Sequence, residues 1–268
     1  MVKAKPSLEY LQKLITAYST TVPWESFSRI LRKDKLIEPE KCIRLEFEFW
    51  NDAITYGTGG TCYESNFAFN FLLKSLGFET YLTINEIKDK SSLHSAIIVS
   101  IDSTKFIVDI GYPLYAPIPL NKKKAVFVKQ NKIEYVSTYL SEDRYLIENY
   151  PHPKPYLYHL TDKPIGIKDY LQICVDDYGE KGLFLDRMII RKVKQGIPTR
   201  FDSEDLPFNI HQLQNGLKIK QYLDIENIIV TLSEFYNINI NIIKQVFKLQ
   251  AKLRPALGFI QVGQDKHR

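Results

Sequence analysis

The sequence predicts an α+β protein in which a helical bundle, a β-rich unit and a small mixed segment follow one another along the chain. Three observations predict it. Apolar residues recur at helical spacing up to about residue 77, short β-rich runs separated by turn residues fill about 78 to 200, and a hairpin signal followed by helical spacing occupies the remainder. The chain carries no internal repeat and no low-complexity tract.

In the bundle, Ser7 is the predicted N-cap of a helix whose face carries Leu8, Leu11, Leu14, Ile15 and Tyr18, and Pro23 interrupts the chain after it. Ile43, Phe47, Trp50 and Ile54 mark a second amphipathic face, broken at Gly57-Thr58-Gly59-Gly60. A third helix is predicted to begin near Cys62, to carry Phe67, Phe71 and Leu72, and to end at Gly77.

The β-rich runs are Tyr81 to Ile84, Ser95 to Ile101, Phe106 to Ile110, Ala125 to Val128 and Met188 to Val193. Turn signals at Asp102-Ser103, Asn121 and Asn131 and a proline-rich connector from Pro151 to Pro155 separate them, so the strands form an antiparallel sheet or barrel. One helix, Ile167 to Val175, interrupts this texture. Asn215-Gly216 then reads as a hairpin turn between His211–Leu213 and Leu217–Ile219. Ile225, Ile228, Ile229, Leu232 and Phe235 form a helical face, and the Asn/Ile alternation over 237–243 reads either as an edge strand or as the start of a last helix with Val246, Phe247 and Leu249.

Composition excludes several function classes. Hydrophobic residues at 44% and charged residues at 25% of 268 describe a folded domain rather than a disordered chain. The 36 basic and 31 acidic residues are interspersed, and the longest basic run, Lys122 to Lys124, reads as a solvated loop; no nucleic-acid partner is expected. Three cysteines, Cys42, Cys62 and Cys174, show neither a CxxC pair nor a metal-spaced His/Cys cluster, so no metal and no disulfide framework are expected. No apolar run approaches a membrane span and the N-terminus is too polar for a signal peptide, which makes a cytoplasmic protein with no membrane partner the expectation. Aromatic residues, at 13%, are the unusual figure; most are expected in the core.

Chemistry concentrates at Gly59-Gly60-Thr61-Cys62-Tyr63-Glu64-Ser65-Asn66. Two glycines permit a sharp turn immediately before a helix, which places Cys62 at the helix N-terminus. There the free backbone N–H groups and the helix dipole stabilise negative charge on sulfur, and the same donors can hold an oxyanion. His94 and Asp109 supply a base and an orienting group. If Asp102-Ser103 is a two-residue hairpin loop, paired positions sum to 205 and Asp109 lies opposite Ala96, on the same sheet face as His94 and diagonal to it, roughly 7–8 Å away between backbones. A one-residue change in that loop would put the two on opposite faces. Cysteine, histidine and aspartate in these roles constitute the apparatus of thiol-based acyl transfer.

These motifs resemble the arylamine N-acetyltransferase family. Its R-G-G-x-C-x-E-x-N hallmark is matched by Gly59, Gly60, Cys62, Glu64 and Asn66, and its V-D-[VI]-G-[FY] segment by Val108-Asp109-Ile110-Gly111-Tyr112. Val22-Pro23-Trp24-Glu25-Ser26 is similar to its V-P-F-E-N, and Asp224 to Phe235 to a late helix motif. The resemblance implies a helical bundle over 1–80 carrying the nucleophile, a β-barrel over 81–200 carrying the histidine and aspartate, and an α/β lid over 201–268, around a cysteine-protease-like Cys-His-Asp core. It implies catalytic Cys62, His94 and Asp109, acetyl-CoA as co-substrate contacting Gly111 and Tyr112, and an aromatic amine, hydrazine or N-hydroxyarylamine acceptor acetylated by a ping-pong route. Trp24, Phe27 and Tyr63 are the candidates for the acceptor pocket; with Tyr112 they gather in sequence around the nucleophile and the aspartate.

The chain departs from the family at three points. Thr58 stands where the family has arginine, which leaves Glu25 without that ionic mate and requires the loop bearing Cys62 to be held another way. Pro113 replaces a glycine in the turn where coenzyme A would pass, and no glycine-rich pyrophosphate cradle follows. A cysteine-dependent acyltransferase, amide synthase or hydrolase with a different acyl donor, or a non-catalytic homologue, therefore stands as the alternative reading.

Overall fold

A computed structural model describes residues 5–87, 92–151, 155–180, 182–214 and 217–253. Ser7 caps the first helix, α1 (Leu8–Thr21), accepting a hydrogen bond from the Tyr10 N–H at 3.2 Å, and Leu11, Ile15 and Tyr18 are buried beneath it. Beyond Pro23 come a two-residue strand, β1 (Trp24–Glu25), and helices α2 (Phe27–Lys35), α3 (Pro39–Cys42), α4 (Glu46–Tyr56) and α5 (Cys62–Ser75).

The sequence reading missed α2. Its buried stripe, Phe27, Ile30 and Leu31, covers little more than one turn among basic residues, too short for a periodic signal. The predicted face of α4 needs correction as well. The helix starts after Ile43, Phe47 and Ile54 are both 84% exposed, and Phe49 is the buried residue. Alternating acidic and aromatic residues in Glu46-Phe47-Glu48-Phe49-Trp50 offer two apolar stripes, and packing selects the one on which Phe49 meets the Arg44 guanidinium and Trp50 meets the Tyr18 ring edge. By contrast α5 is buried on nearly all sides, the signature of a central helix, and ends as predicted with Gly77 at φ +91°.

Eight strands form a nearly closed antiparallel sheet in the order β5-β4-β3-β2-β9-β8-β7-β6. They are β2 (Glu79–Ile87), β3 (Ser92–Ile101), β4 (Thr104–Val108), β5 (Ile118–Pro119), β6 (Val126–Gln130), β7 (Ile133–Ser141), β8 (Arg144–Tyr150) and β9 (Tyr156–Thr161), and the edge strands β5 and β6 approach each other. Strands β7, β8 and β9 were not read from the sequence; Glu142-Asp143 joins β7 to β8 in a tight turn, at φ 47° and 63°, without glycine or asparagine. The connector after Pro151 lies partly outside the described residues. Along β3, Ala96 and Ile98 fill the barrel while Ile97 and Val99 pack toward the helices, so both faces of the strand are buried.

The interrupting helix is α6 (Ile167–Asp176). After it, β10 (Ile189–Lys194), β11 (Ile197–Asp202), β12 (Asn209–Gln214) and β13 (Leu217–Tyr222) join β1 in a five-stranded sheet ordered β1-β10-β11-β12-β13. Gln214 pairs with Leu217 as a two-residue loop requires, though the turn residues themselves lie outside the described set. Helix α7 (Ile228–Tyr236) begins later than predicted, leaving Ile225 52% exposed before it. Asn237 then stops α7 in the left-handed conformation, φ 57°, and 240–243 open α8 (Ile240–Leu253), so the ambiguous Asn/Ile segment is helix rather than strand. Together α2, α7 and α8 bury one face of the five-stranded sheet. Among the described residues no helix is long and apolar enough to cross a membrane.

Candidate active site

Thr61 is the N-cap of α5 and makes no side-chain cap, so Cys62 opens the helix beside first-turn N–H groups that its cap does not take. Cys62 is half-buried, whereas His94 and Asp109 are 2% and 0% exposed. The hairpin is the one the sequence predicts. Asp102 and Ser103 adopt φ 46° and 63°, Ile97 pairs with Val108, and His94 Nε2 lies 2.6 Å from Asp109 Oδ2. The Cys62 side chain interacts electrostatically with the imidazole. Burial alone would depress the His94 pKa; the charge of Asp109, its hydrogen bond and the Cys62 contact outweigh burial and raise it to about 10.

The Asp109 carboxylate accepts five hydrogen bonds. Oδ1 takes Asn66 Nδ2 at 3.0 Å and the Gly111 and Tyr112 N–H groups at 2.9 and 2.8 Å; Oδ2 takes His94 and the Tyr158 hydroxyl, the latter at 2.8 Å. Such saturation is what allows a carboxylate to sit without solvent. Asn66, one turn along α5 from Cys62, ties the helix to the sheet: besides Asp109 it donates to the Ser95 carbonyl at 2.7 Å and accepts from the Ile110 N–H at 3.2 Å. Ser95 Oγ closes the circuit on the Cys62 carbonyl at 3.0 Å. Gly111 packs so tightly on Cys62 that a Cβ there would lie 2.5 Å from the Cys62 Cα.

The loop before Cys62 is held by Arg44, a residue the sequence reading did not single out. This fully buried guanidinium donates from Nη2 to the Gly59 carbonyl at 2.5 Å, Glu64 Oε2 at 2.6 Å and Ser28 Oγ at 3.0 Å. Glu25 accepts from Gly59 N–H at 3.1 Å and from Ser28, so the cation serving this acidic pair comes from the α3–α4 linker instead of position 58. Burial would raise the Glu64 carboxyl, but Arg44 holds it below its ordinary value.

The remaining aromatic candidates separate. Trp24 bridges to Gly60 and borders the groove formed by Tyr18, Ile110 and Pro113. The Tyr112 ring stands edge-on to His94 at 5.9 Å. Phe27 is not brought to the site: it is fully buried against Phe247 and Met188. Tyr63, 5% exposed, turns into the bundle against Tyr170. Other tyrosines support the site from a distance, Tyr158 through Asp109, Tyr178 through Glu64 at 2.9 Å and Tyr170 through the Tyr63 carbonyl at 2.7 Å. Only the excess of tyrosine hinted at them. Among the described residues no group of acidic, histidine and cysteine side chains is placed to hold a metal.

A family model described as N-acetyltransferase matches residues 7–246. An uncharacterized acetyltransferase of Acanthamoeba polyphaga mimivirus is 30% identical over 112 residues, 40% of this chain, and the match spans about half, 53%, of that relative. Solved structures share the fold: a Mycobacterium smegmatis arylamine N-acetyltransferase (TM-score 0.75, 15% identity, 92% and 93% of the two chains), the Mycobacterium marinum enzyme in complex with CoA (0.73, 16%, 92% and 93%), and a Bacillus anthracis enzyme (0.68, 17%, 88% and 93%).

Proposed function

We propose, from the premise that this chain belongs to the arylamine N-acetyltransferase family, that it transfers an acetyl group from acetyl-CoA to an aromatic amine, hydrazine or N-hydroxyarylamine through an acetyl-Cys62 intermediate. The observation that carries the reading is the buried His94–Asp109 contact of 2.6 Å beside Cys62, which opens α5. The CoA complex of the Mycobacterium marinum relative supports the choice of donor.

In the first half-reaction the Cys62 proton already resides on the His94 ring nitrogen not engaged by Asp109, and the sulfur anion paired with that imidazolium attacks the thioester carbonyl. The carbonyl oxygen takes the negative charge and is stabilised by the first-turn N–H groups of α5. Collapse expels coenzyme A thiolate, which takes the proton back from His94. In the second half the amine attacks acetyl-Cys62, His94 accepts its proton and returns it to the departing Cys62 sulfur. Asp109, held by five donors, keeps the imidazole in one orientation and stabilises its charge throughout. Trp24 and Tyr112 form walls of the acceptor site. The three free cysteines support a reducing, cytoplasmic location.

Mass spectrometry of the protein with excess acetyl-CoA tests the reading. One acetyl group is expected on Cys62, lost on adding 4-aminobenzoate or a hydrazine with release of the acetylated amine, and absent in Cys62→Ala. Failure to acetylate Cys62 while another acyl-CoA does so would move the donor assignment; failure with every acyl donor would sink the acyltransferase reading.

A further inference from the structure

The five-stranded sheet carries a row of basic side chains that the acyl chemistry does not use. Cross-strand pairing sets Trp24 opposite Arg191, Arg191 opposite Arg200, and Arg200 opposite His211, so these side chains share one face. Lys218 stands on the same face, opposite Leu213 and diagonal to His211. Like charges directly opposite each other weaken a sheet. Their counter-charge is incomplete: Asp202 is divided between Arg187 and Arg200, and Asp205 between Lys220 and, at 3.8 Å, His211. Among the described residues Arg191 has no carboxylate partner, and its guanidinium lies over the rings of Trp24 and Tyr112 at 5.1 and 5.6 Å. The Nε atoms of Arg191 and Arg200 are buried with no hydrogen-bond partner in the described structure. Burial, and after it the neighbouring cations, lower Arg200 to about 10 and His211 to about 4, so His211 joins the row as a neutral hydrogen-bonding group and the positive charge comes from Arg191, Arg200 and Lys218.

Arg191, Arg200, His211 and Lys218 line one cleft of about 160 Å³, whose opposite wall, on the barrel side, includes Tyr112 and Tyr135. Through Tyr112 this cleft adjoins His94. We propose that the row is an anion site: it binds a phosphate or carboxylate group at the far end of a substrate whose reacting end lies at Cys62. The proposal rests on Cys62 as the acyl carrier and adds the charge class of what reaches it. With strands about 4.8 Å apart, the strands carrying Arg191, Arg200 and Lys218 lie about 5, 10 and 19 Å from that of Trp24, so the anion is held well away from the reacting atoms. Two sources bring such a group, the phosphates of a coenzyme A thioester and a carboxylate on the acceptor ring.

Calorimetry with inorganic pyrophosphate and with benzoate tests the site without any turnover. Binding to the wild-type protein is expected to weaken with added salt and to fall about 10- to 100-fold in Arg191→Gln and Arg200→Gln, the loss of a charge-assisted hydrogen bond, with Arg200→Lys intermediate because it keeps the charge. Kinetic arms identify the source. The KM advantage of acetyl-CoA over a neutral small acetyl thioester collapses in the variants if phosphate is the ligand, and that of 4-aminobenzoate over its methyl ester if carboxylate is. No binding of either anion to wild type, or equal losses for charged and neutral partners, overturns the proposal. If Cys62 takes no acyl group, the functional reading fails while the calorimetry still reports on the site.

Discussion

A Cβ added to Gly111 would stand 2.5 Å from the Cα of Cys62 and 2.7 Å from its Cβ, so the turn that follows β4 and the first residue of α5 meet where a side chain is missing. The Gly111 N–H also holds Asp109. Nucleophile and orienting carboxylate are thus spaced by a glycine chosen for its size.

Gly111→Ala is therefore expected to force the two elements apart. Overpacking of this kind costs about 1–3 kcal/mol, read as a lower denaturation midpoint. Acetylation of Cys62 should slow more than stability alone explains, because the same push separates Cys62 from His94. An alanine variant with unchanged midpoint and trapping rate would refute the close contact.

Tyr158→Phe removes one of five donors to Asp109 and leaves the ring that lies 4.8 Å from His94. Losing a hydrogen bond to a buried charged group costs about 1.5–3 kcal/mol. The expected result is a stable protein with a roughly tenfold slower acylation of Cys62, measured by stopped trapping with acetyl-CoA. A rate equal to wild type would show that Asp109 does not depend on this hydroxyl.

His94 sets a pH dependence whose sign follows from its raised pKa. The folded protein binds the proton more tightly than the unfolded chain, whose histidine titrates near 6.5. The stabilisation is complete below about 6.5 and is lost as pH rises through about 10. Carbon-13 shifts of His94 should show an imidazolium at pH 8. In Asp109→Asn, burial then dominates and the ring should be neutral there; a charged ring in that variant would contradict the assignment.

Arg44 and position 58 form a charge pairing that can be tested by exchange. Arg44→Ala strands Glu64, 2% exposed, without its cation, a loss of about 3–5 kcal/mol. Thr58 is itself buried with an unpartnered hydroxyl, in the same loop as Gly59. Thr58→Arg should therefore destabilise the wild-type protein by adding a second buried cation, yet recover part of the Arg44→Ala loss, at least about 1 kcal/mol in denaturant. Additive losses in the double variant would show that position 58 cannot reach the acidic pair.

Much of the site follows from local rules. Two-residue loops with positive φ fix hairpin register, and from Asp102-Ser103 alone His94 and Asp109 fall on one face. Two glycines before an apolar helical repeat likewise place Cys62 at the start of α5. Both arguments span fewer than about twenty residues, within which backbone geometry decides position. The same rules misled at α4, where periodicity offered two apolar stripes and only packing against Tyr18 and Arg44 chose Phe49 over Phe47.

What only the tertiary structure decided is which distant side chains complete the site. Tyr158 reaches Asp109 across 49 positions and Arg44 reaches Glu64 across 20. The row of basic residues exists only because β10, β11, β12 and β13 lie side by side. Period and turn chemistry state which face a residue occupies; they do not state which other element will cover that face. That choice is made by closing the barrel and stacking the five-stranded sheet beside it, where a buried charge must find its partner wherever the chain happens to return.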